Sequence, residues 1–240
     1  MDLPYSRILL KLSGESLAGD SKKGIDPDIL TATAREVRAV VDRGIQVGVV
    51  VGAGNIFRGL SGIAKDMDRT RADHMGMLGT VINSLALGDA FERAGLETRV
   101  VSSLKVPGVA EDFVQKRAVA LLARGRTVIF AGGTGNPYFT TDTAAALKAC
   151  EIEADVLLKA TRVDGVYSAD PEKDSTATRF SSITYDDVLR RDLRVMDATA
   201  FALCRDNRIP IVVFRMGEGR LMQLLEGQAI GTVVNDTEGG

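Results

Sequence analysis

The chain has 240 residues, 45% hydrophobic and 26% charged, with a formal net charge of −2. That composition belongs to a globular α/β protein and excludes collagen-like or disordered chains. The balanced charge argues against a non-specific nucleic-acid binder, whose basic surface would release counterions from the phosphate backbone, so any phosphate ligand must be met by local charge.

Residues 1–12 are too short and too charged for a signal peptide. No apolar run approaches the roughly 18 residues that span a bilayer, so a soluble cytoplasmic protein without a membrane partner is expected. Short β-branched runs then alternate with helical patterns. Strands are predicted at Arg7–Leu12, Gln46–Val51, Thr98–Ser102, Thr127–Ala131, 155–160 and 210–214. The first helix has Asp26 as N-cap, Pro27 at its first position, an apolar stripe of Leu30, Ala34, Val37 and Val41, and Gly44 beyond its end. Strands such as QVGVVV are nearly continuous in apolar residues, as parallel strands covered on both faces are. The expectation is an α/β fold: a three-layer αβα sandwich around a mainly parallel sheet, one unit over residues 1–240. A long helix over 70–94 carries Met75, Met77, Leu78, Val81, Ile82, Leu85 and Leu87, more apolar surface than one face needs; core packing and a subunit interface both account for it. The polar stretch 162–182, with Pro171 inside it, reads as an irregular excursion.

Ligands of open parallel sheets bind beyond the carboxyl ends of the strands, so the turns that follow strands matter most. Three are unusual: Lys11-Leu12-Ser13-Gly14-Glu15, Gly52-Ala53-Gly54-Asn55 and Gly132-Gly133-Thr134-Gly135-Asn136. Each alone is explained by a tight connection. Together on one sheet edge they suit a polyphosphate, because small residues admit close approach and free N–H groups attract anions. Neither G-x-x-x-x-G-K-[ST] nor a complete G-x-G-x-x-G occurs, which counts against P-loop kinases and dinucleotide dehydrogenases.

Lys11, on the same strand face as Leu9, and Lys159, near the end of a second strand, are cations where a buried sheet has little use for them. Both suit the neutralisation of a transferring phosphoryl group. Arg58 follows the second glycine loop and can grip phosphate bidentately or simply face solvent. Asp142 either caps the helix that follows Thr140-Thr141 or does more. One histidine and two cysteines do not readily assemble an all-nitrogen/sulfur zinc site, and His74 has no evident partner for a nucleophilic triad. Cys150 and Cys204 read as buried reduced thiols rather than as a disulfide or nucleophile.

The blocks KLSGE (11–15), DHMGM (73–77), TGNPYFTTD (134–142) and KATRVDGVY (159–167) closely resemble the bacterial UMP kinases of the amino acid kinase superfamily, and the resemblance runs nearly end to end. It implies transfer of the γ-phosphoryl group of ATP to UMP, in pyrimidine nucleotide biosynthesis, with Mg²⁺ carried in on ATP and no dedicated protein metal site. Catalysis would fall to Lys11, Arg58, Asp142 and Lys159, with Asp142 orienting the lysines. Lys11, Leu12, Ser13, Gly14, Gly54 and Arg58 would hold the ATP phosphates, while Thr161, Tyr167 and Asp170 would contact its nucleoside. UMP would meet Ala53, Asp73, Thr134, Gly135, Asn136, Pro137, Tyr138, Phe139, Thr140 and Thr141. The N-terminal part would be mainly the UMP side and residues 155–240 mainly the ATP side.

The resemblance also implies a homohexamer built from dimers, with GTP and UTP as effectors. Gly88 and Glu92 stand where basic residues are expected, which counts against GTP activation. Ala53 replaces the middle glycine of the second loop, so that position must do without positive φ or carry strain. Two other readings remain at this level: a kinase of the same fold acting on a carboxylate or carbamate, against which the TGNPYFTTD and DHMGM blocks argue, and a nucleotide-sensing regulator without turnover. The presence of Lys11, Arg58, Asp142 and Lys159 together favours the enzyme.

Overall fold

The structure is a computed structural model and describes residues 4–21, 23–57, 67–171, 173–193 and 195–236. The chain opens with β1 (Arg7–Leu12), a 3-10 segment (Gly14–Ser21), α1 (Pro27–Val41), β2 (Gln46–Val51) and α2 (Arg69–Arg93). It continues through β3 (Thr98–Ser102), β4 (Glu111–Asp112), α3 (Gln115–Ala123), β5 (Thr127–Ala131), α4 (Thr141–Glu151) and β6 (Val156–Thr161). The remainder is β7 (Ser182–Thr184), α5 (Tyr185–Arg190), α6 (Ala198–Asp206), β8 (Ile211–Arg215), α7 (Arg220–Leu225) and β9 (Thr232–Asn235).

The strands form one sheet in the order β4-β3-β5-β2-β1-β6-β8-β9-β7. Every neighbouring pair is parallel except β8–β9. Alternation along β1 divides the core between the two faces of the sheet. Ile8, Leu10 and Leu12 pack with Leu30 and Val37 of α1, Leu87 and Phe91 of α2 and Leu221 of α7. Leu9 packs on the other face with Ala145 and Ala149 of α4 and with Ala200 and Phe201 of α6. Helices therefore cover both faces, which is the expected layering.

Local chemistry accounts for the element ends. Asp26 accepts from the backbone N–H groups of Asp28 (2.9 Å) and Ile29 (3.4 Å), capping α1, an interaction usually worth about 1 kcal/mol. On that helix Val40 is fully buried as well, and Val41 packs partly buried against the same core. The fifth and sixth predicted strands, at 155–160 and 210–214, begin one residue later than expected. β4, β7 and β9 were not foreseen, because their two to four residues are too short to show a period. The stretch up to β7 is irregular as expected; an antiparallel bridge joins Tyr167 and Arg179, and Phe180 N–H donates to Val166 O (2.9 Å). No described helix is long and apolar enough to cross a membrane. Both cysteines are free. Burial raises the pKa of the Cys150 thiol and pushes that of Cys204 up to about 12, which makes either a poor nucleophile near neutrality.

Candidate active site

The sheet order places β5, β2 and β1 side by side, so the three glycine loops that follow them lie along one sheet edge. The order also reverses at β1: the chain runs out through β2 to β5 on one side and then resumes with β6 on the other. Such a switch point leaves a crevice at the strand ends. Lys11 and Lys159 meet there, because β1 and β6 pair in a register that sets the two lysines directly opposite each other. Both face the α4 side of the sheet.

Thr140 is the N-cap of α4, accepting from the backbone N–H groups of Asp142 and Thr143. Capping therefore does not occupy Asp142, whose carboxylate is directed at the lysines. Lys11 Nζ lies 2.8 Å from Oδ1 and Lys159 Nζ 2.7 Å from Oδ2. The Lys159 ammonium also donates to the carbonyl of Val195. Both lysines are only 8% exposed. Burial pushes the pKa of Asp142 up, but the two ammonium groups outweigh it and hold the carboxyl below its ordinary value. For Lys159, burial dominates and Lys11 adds repulsion, so its pKa falls below the ordinary lysine value despite Asp142.

Two cavities flank this cluster. The larger, about 690 Å³, is lined by Lys159, Thr161, Val166, Tyr167, Asp170 and Val213 among others. The smaller, about 250 Å³, is lined by Ala53, Gly54, Phe57, Asp73, Met77, Gly133, Phe139, Thr140 and Thr141. The ATP-nucleoside residues expected from sequence thus share the first, and part of the expected UMP set shares the second. Thr134, Gly135, Asn136, Pro137 and Tyr138 form the loop beside the smaller cavity. Thr134 and Asn136 hydrogen-bond to each other, and Tyr138 N–H donates to Asp73 Oδ2 (2.7 Å) with φ at 73°.

Leu12 buries its side chain in the core, so only its backbone faces the loop. Ser13 accepts from Ser16 N–H and starts the 3-10 segment with Gly14. Gly14 has no room for a side chain: an added Cβ would lie 2.6 Å from Gly52 O, Gly54 N and Asn55 Oδ1. Arg58 lies outside the described residues. Among those described, no cluster of three metal-ligating side chains occurs.

The amino acid kinase family model matches residues 6–215. The chain belongs to the amino acid kinase family. Its structure is similar to that of UMP kinase from Bacillus anthracis, with a TM-score of 0.94, 39% identity and 98% of each chain covered. UMP kinase from Ureaplasma parvum follows at 0.91 and 35%, covering 98% of this chain and 100% of the other. Uridylate kinase from Archaeoglobus fulgidus matches at 0.72 and 30%, covering 95% and 99%.

In this amino acid kinase Ala53 carries no strain, since its φ is not positive. Its methyl group finds space because position 79 on α2 is glycine; a Cβ at Gly79 would lie 2.8 Å from that of Ala53. Sequence reading missed Asp197. As N-cap of α6 it accepts from Ala200 N–H, from Thr143 Oγ1 (2.9 Å) and from Thr140 Oγ1, fastening the start of α4 to the segment whose Val195 carbonyl holds Lys159. Arg69 was missed as well. It is bonded to Asp73 (2.8 Å) and lies over the Tyr138 ring. An acidic residue before a helix signals a cap, but partners more than fifty positions away leave no local trace.

Proposed function

We propose that this kinase is a UMP kinase, transferring the γ-phosphoryl group of ATP to UMP to give UDP and ADP in pyrimidine nucleotide biosynthesis. The observation that carries the reading is the Lys11–Asp142–Lys159 cluster at the end of the central strands, with Lys159 lining the larger cavity and Thr141, the neighbour of Asp142, lining the smaller. The near full-length likeness to two UMP kinases at 39% and 35% identity supports UMP as acceptor. ATP enters the larger cavity with its nucleoside against Thr161, Tyr167 and Asp170, and its phosphates reach Lys11, Ser13, Gly14 and Gly54. UMP occupies the smaller cavity against Ala53, Asp73 and the loop 134–141.

An oxygen of the UMP phosphate forms a bond to the γ-phosphorus as the bond to the β–γ bridging oxygen breaks, and ADP leaves with that electron pair. The attacking oxygen is already ionised near neutral pH, so no general base is required. Catalysis is then a matter of position and charge. Asp142 holds the two ammonium groups at a set spacing, and they offset charge on the transferring group; Arg58 adds a further cation. Both Asp142 oxygens are engaged by lysines, so a magnesium ion would enter with the substrate phosphates rather than be held by Asp142. When bound, Mg²⁺ supplies neutralisation of the β- and γ-phosphates.

The reading extends to a cytoplasmic homohexamer folded as one unit. On α2, Met75, Leu78, Ile82 and Leu85 are 39–50% exposed and recur at spacings of three and four, the period of a helix–helix seam. UTP, a uridine nucleotide, suits the acceptor cavity as an inhibitor. GTP activation is disfavoured: Gly88 is packed so that an added Cβ would lie 3.0 Å from Val100, and Glu92 is acidic.

The test is ADP production from Mg-ATP with UMP, CMP, dUMP, acetylglutamate and aspartate as acceptors. Strong turnover with UMP and a fall of about 10²-fold or more in kcat for Lys11→Ala, with folding preserved, are expected. UMP binding without turnover would instead identify a nucleotide-sensing regulator.

A further inference from the structure

One turn of α2 holds the second and third glycine loops from behind, and the first loop packs on the second. Asn83 is fully buried and Asn55, within the second loop, is 5% exposed. Their amides form a reciprocal pair: Asn55 Nδ2 donates to Asn83 Oδ1 (3.0 Å) and Asn83 Nδ2 to Asn55 Oδ1 (2.7 Å). The remaining N–H of Asn83 donates to the carbonyl of Gly52 (2.7 Å), and that of Asn55 to the carbonyl of Gly24 (2.7 Å). Every amide N–H of the pair has an acceptor. One turn earlier on the same helix, buried Thr80 accepts from the backbone N–H of Gly132 in the third loop (2.9 Å) while donating to Met77 O.

The first loop is tied to the same point. Gly14 packs so closely on Asn55 Oδ1 and Gly52 O that it admits no Cβ, and Gly52 N–H donates to Leu12 O (3.0 Å).

Two buried amides and a buried hydroxyl are costly to desolvate unless they are fully bonded, and an apolar helix face would pack against β2 and β5 without them. What they add is direction. Hydrogen bonds to Gly52 O and Gly132 N–H fix which way the loop peptides point, which hydrophobic contact cannot do. Phosphoryl transfer depends on that orientation, since a misplacement of about 1 Å costs on the order of 10²-fold in rate. We propose that Thr80 and Asn83 are positioning residues that hold the three glycine loops in mutual register for phosphoryl transfer. This rests on the kinase reading above; in that scheme Asn83 lies behind the loops, away from the cavity, while Thr80 also lines the smaller cavity, so loop exchange without substrate is the readout that separates positioning from contact.

The test compares the near-isosteric Thr80→Val, the hydroxyl-preserving Thr80→Ser, and Asn83→Leu with the parent. Two readouts are needed: steady-state kinetics with Mg-ATP and UMP well below Tm, and backbone amide exchange without any substrate. Thr80→Val and Asn83→Leu should lower kcat by about tenfold or more. Their exchange should rise at 52–55 and 132–135 but not in β1 or β6. Thr80→Ser should stay within about threefold of the parent. Asn83→Leu also tests the idea if Thr80→Val fails to fold. Unchanged exchange in the loops overturns the proposal whatever the acceptor is, and so does faster exchange with parental kcat. A parent inactive with UMP overturns the acceptor assignment instead, and the exchange result still decides the role of Thr80 and Asn83.

Discussion

Asp142 and Lys159 show how position changes the task of an ordinary side chain. The folded pKa of Lys159 is depressed, chiefly by burial, so its proton is lost at a lower pH than from a free lysine. Transfer that needs its ammonium should decline as pH rises through that folded value. The expected kcat/KM–pH profile, which reports the free enzyme, has an alkaline limb below the ordinary lysine range. Lys159→Arg should flatten this limb, because a guanidinium stays charged, while lowering kcat at neutral pH because a planar fork does not replace a point charge. An identical limb in the arginine variant would assign the titration elsewhere. The linkage to stability has the opposite consequence. A depressed folded pKa contributes stability above the unfolded value and loses it as pH falls through the folded one, so charged Lys159 is a cost to folding near neutrality. Asp142 is also depressed, but its window is acidic: its contribution is present above the ordinary carboxylate range and is lost as pH falls through the folded value. The cluster thus combines a carboxylate that stabilises the fold with a lysine retained for charge.

At the scale of elements, the joint between α2 and the second glycine loop is set by a pair of small residues. Ala53 and Gly79 share room for one methyl group. Gly79→Ala should therefore cost about 1–3 kcal/mol through overpacking, even though alanine is the better helix former. Ala53→Gly added to it should recover most of the loss. Thermal unfolding of the two single variants and the double variant checks this. A Gly79→Ala protein with parental Tm, or a double variant no better than the single, would show that the two sites do not compete. Position 53 was legible as a departure from a three-glycine loop, but its compensation was not, since residue 79 belongs to another element. The N-cap of α4 shows the same limit. Sequence left Asp142 with two roles; the structure gives the cap to Thr140 and directs the carboxylate to the lysines.

For the whole molecule, the α2 stripe leads to a prediction about assembly. Ile82→Glu, at a half-exposed position in the middle of the stripe, places a charge where apolar contact is expected and should lower the mass measured by light scattering below that of a hexamer. A parental mass would remove the stripe from the interface. The sequence by itself determined the αβα layering, the first four strand segments and the three glycine turns, because apolar periodicity, caps and turn residues are local properties of the chain. It also marked Lys11 and Lys159 as cations in unusual places. Only the tertiary structure decided that they are register partners, that Asp142, which the resemblance set to orient them, is free of the cap and bonds one oxygen to each, and that Asp197, Thr80 and Asn83 hold the surrounding segments. Those relations join residues dozens of positions apart through strand pairing and helix packing, and such contacts have no signature in the order of residues along the chain.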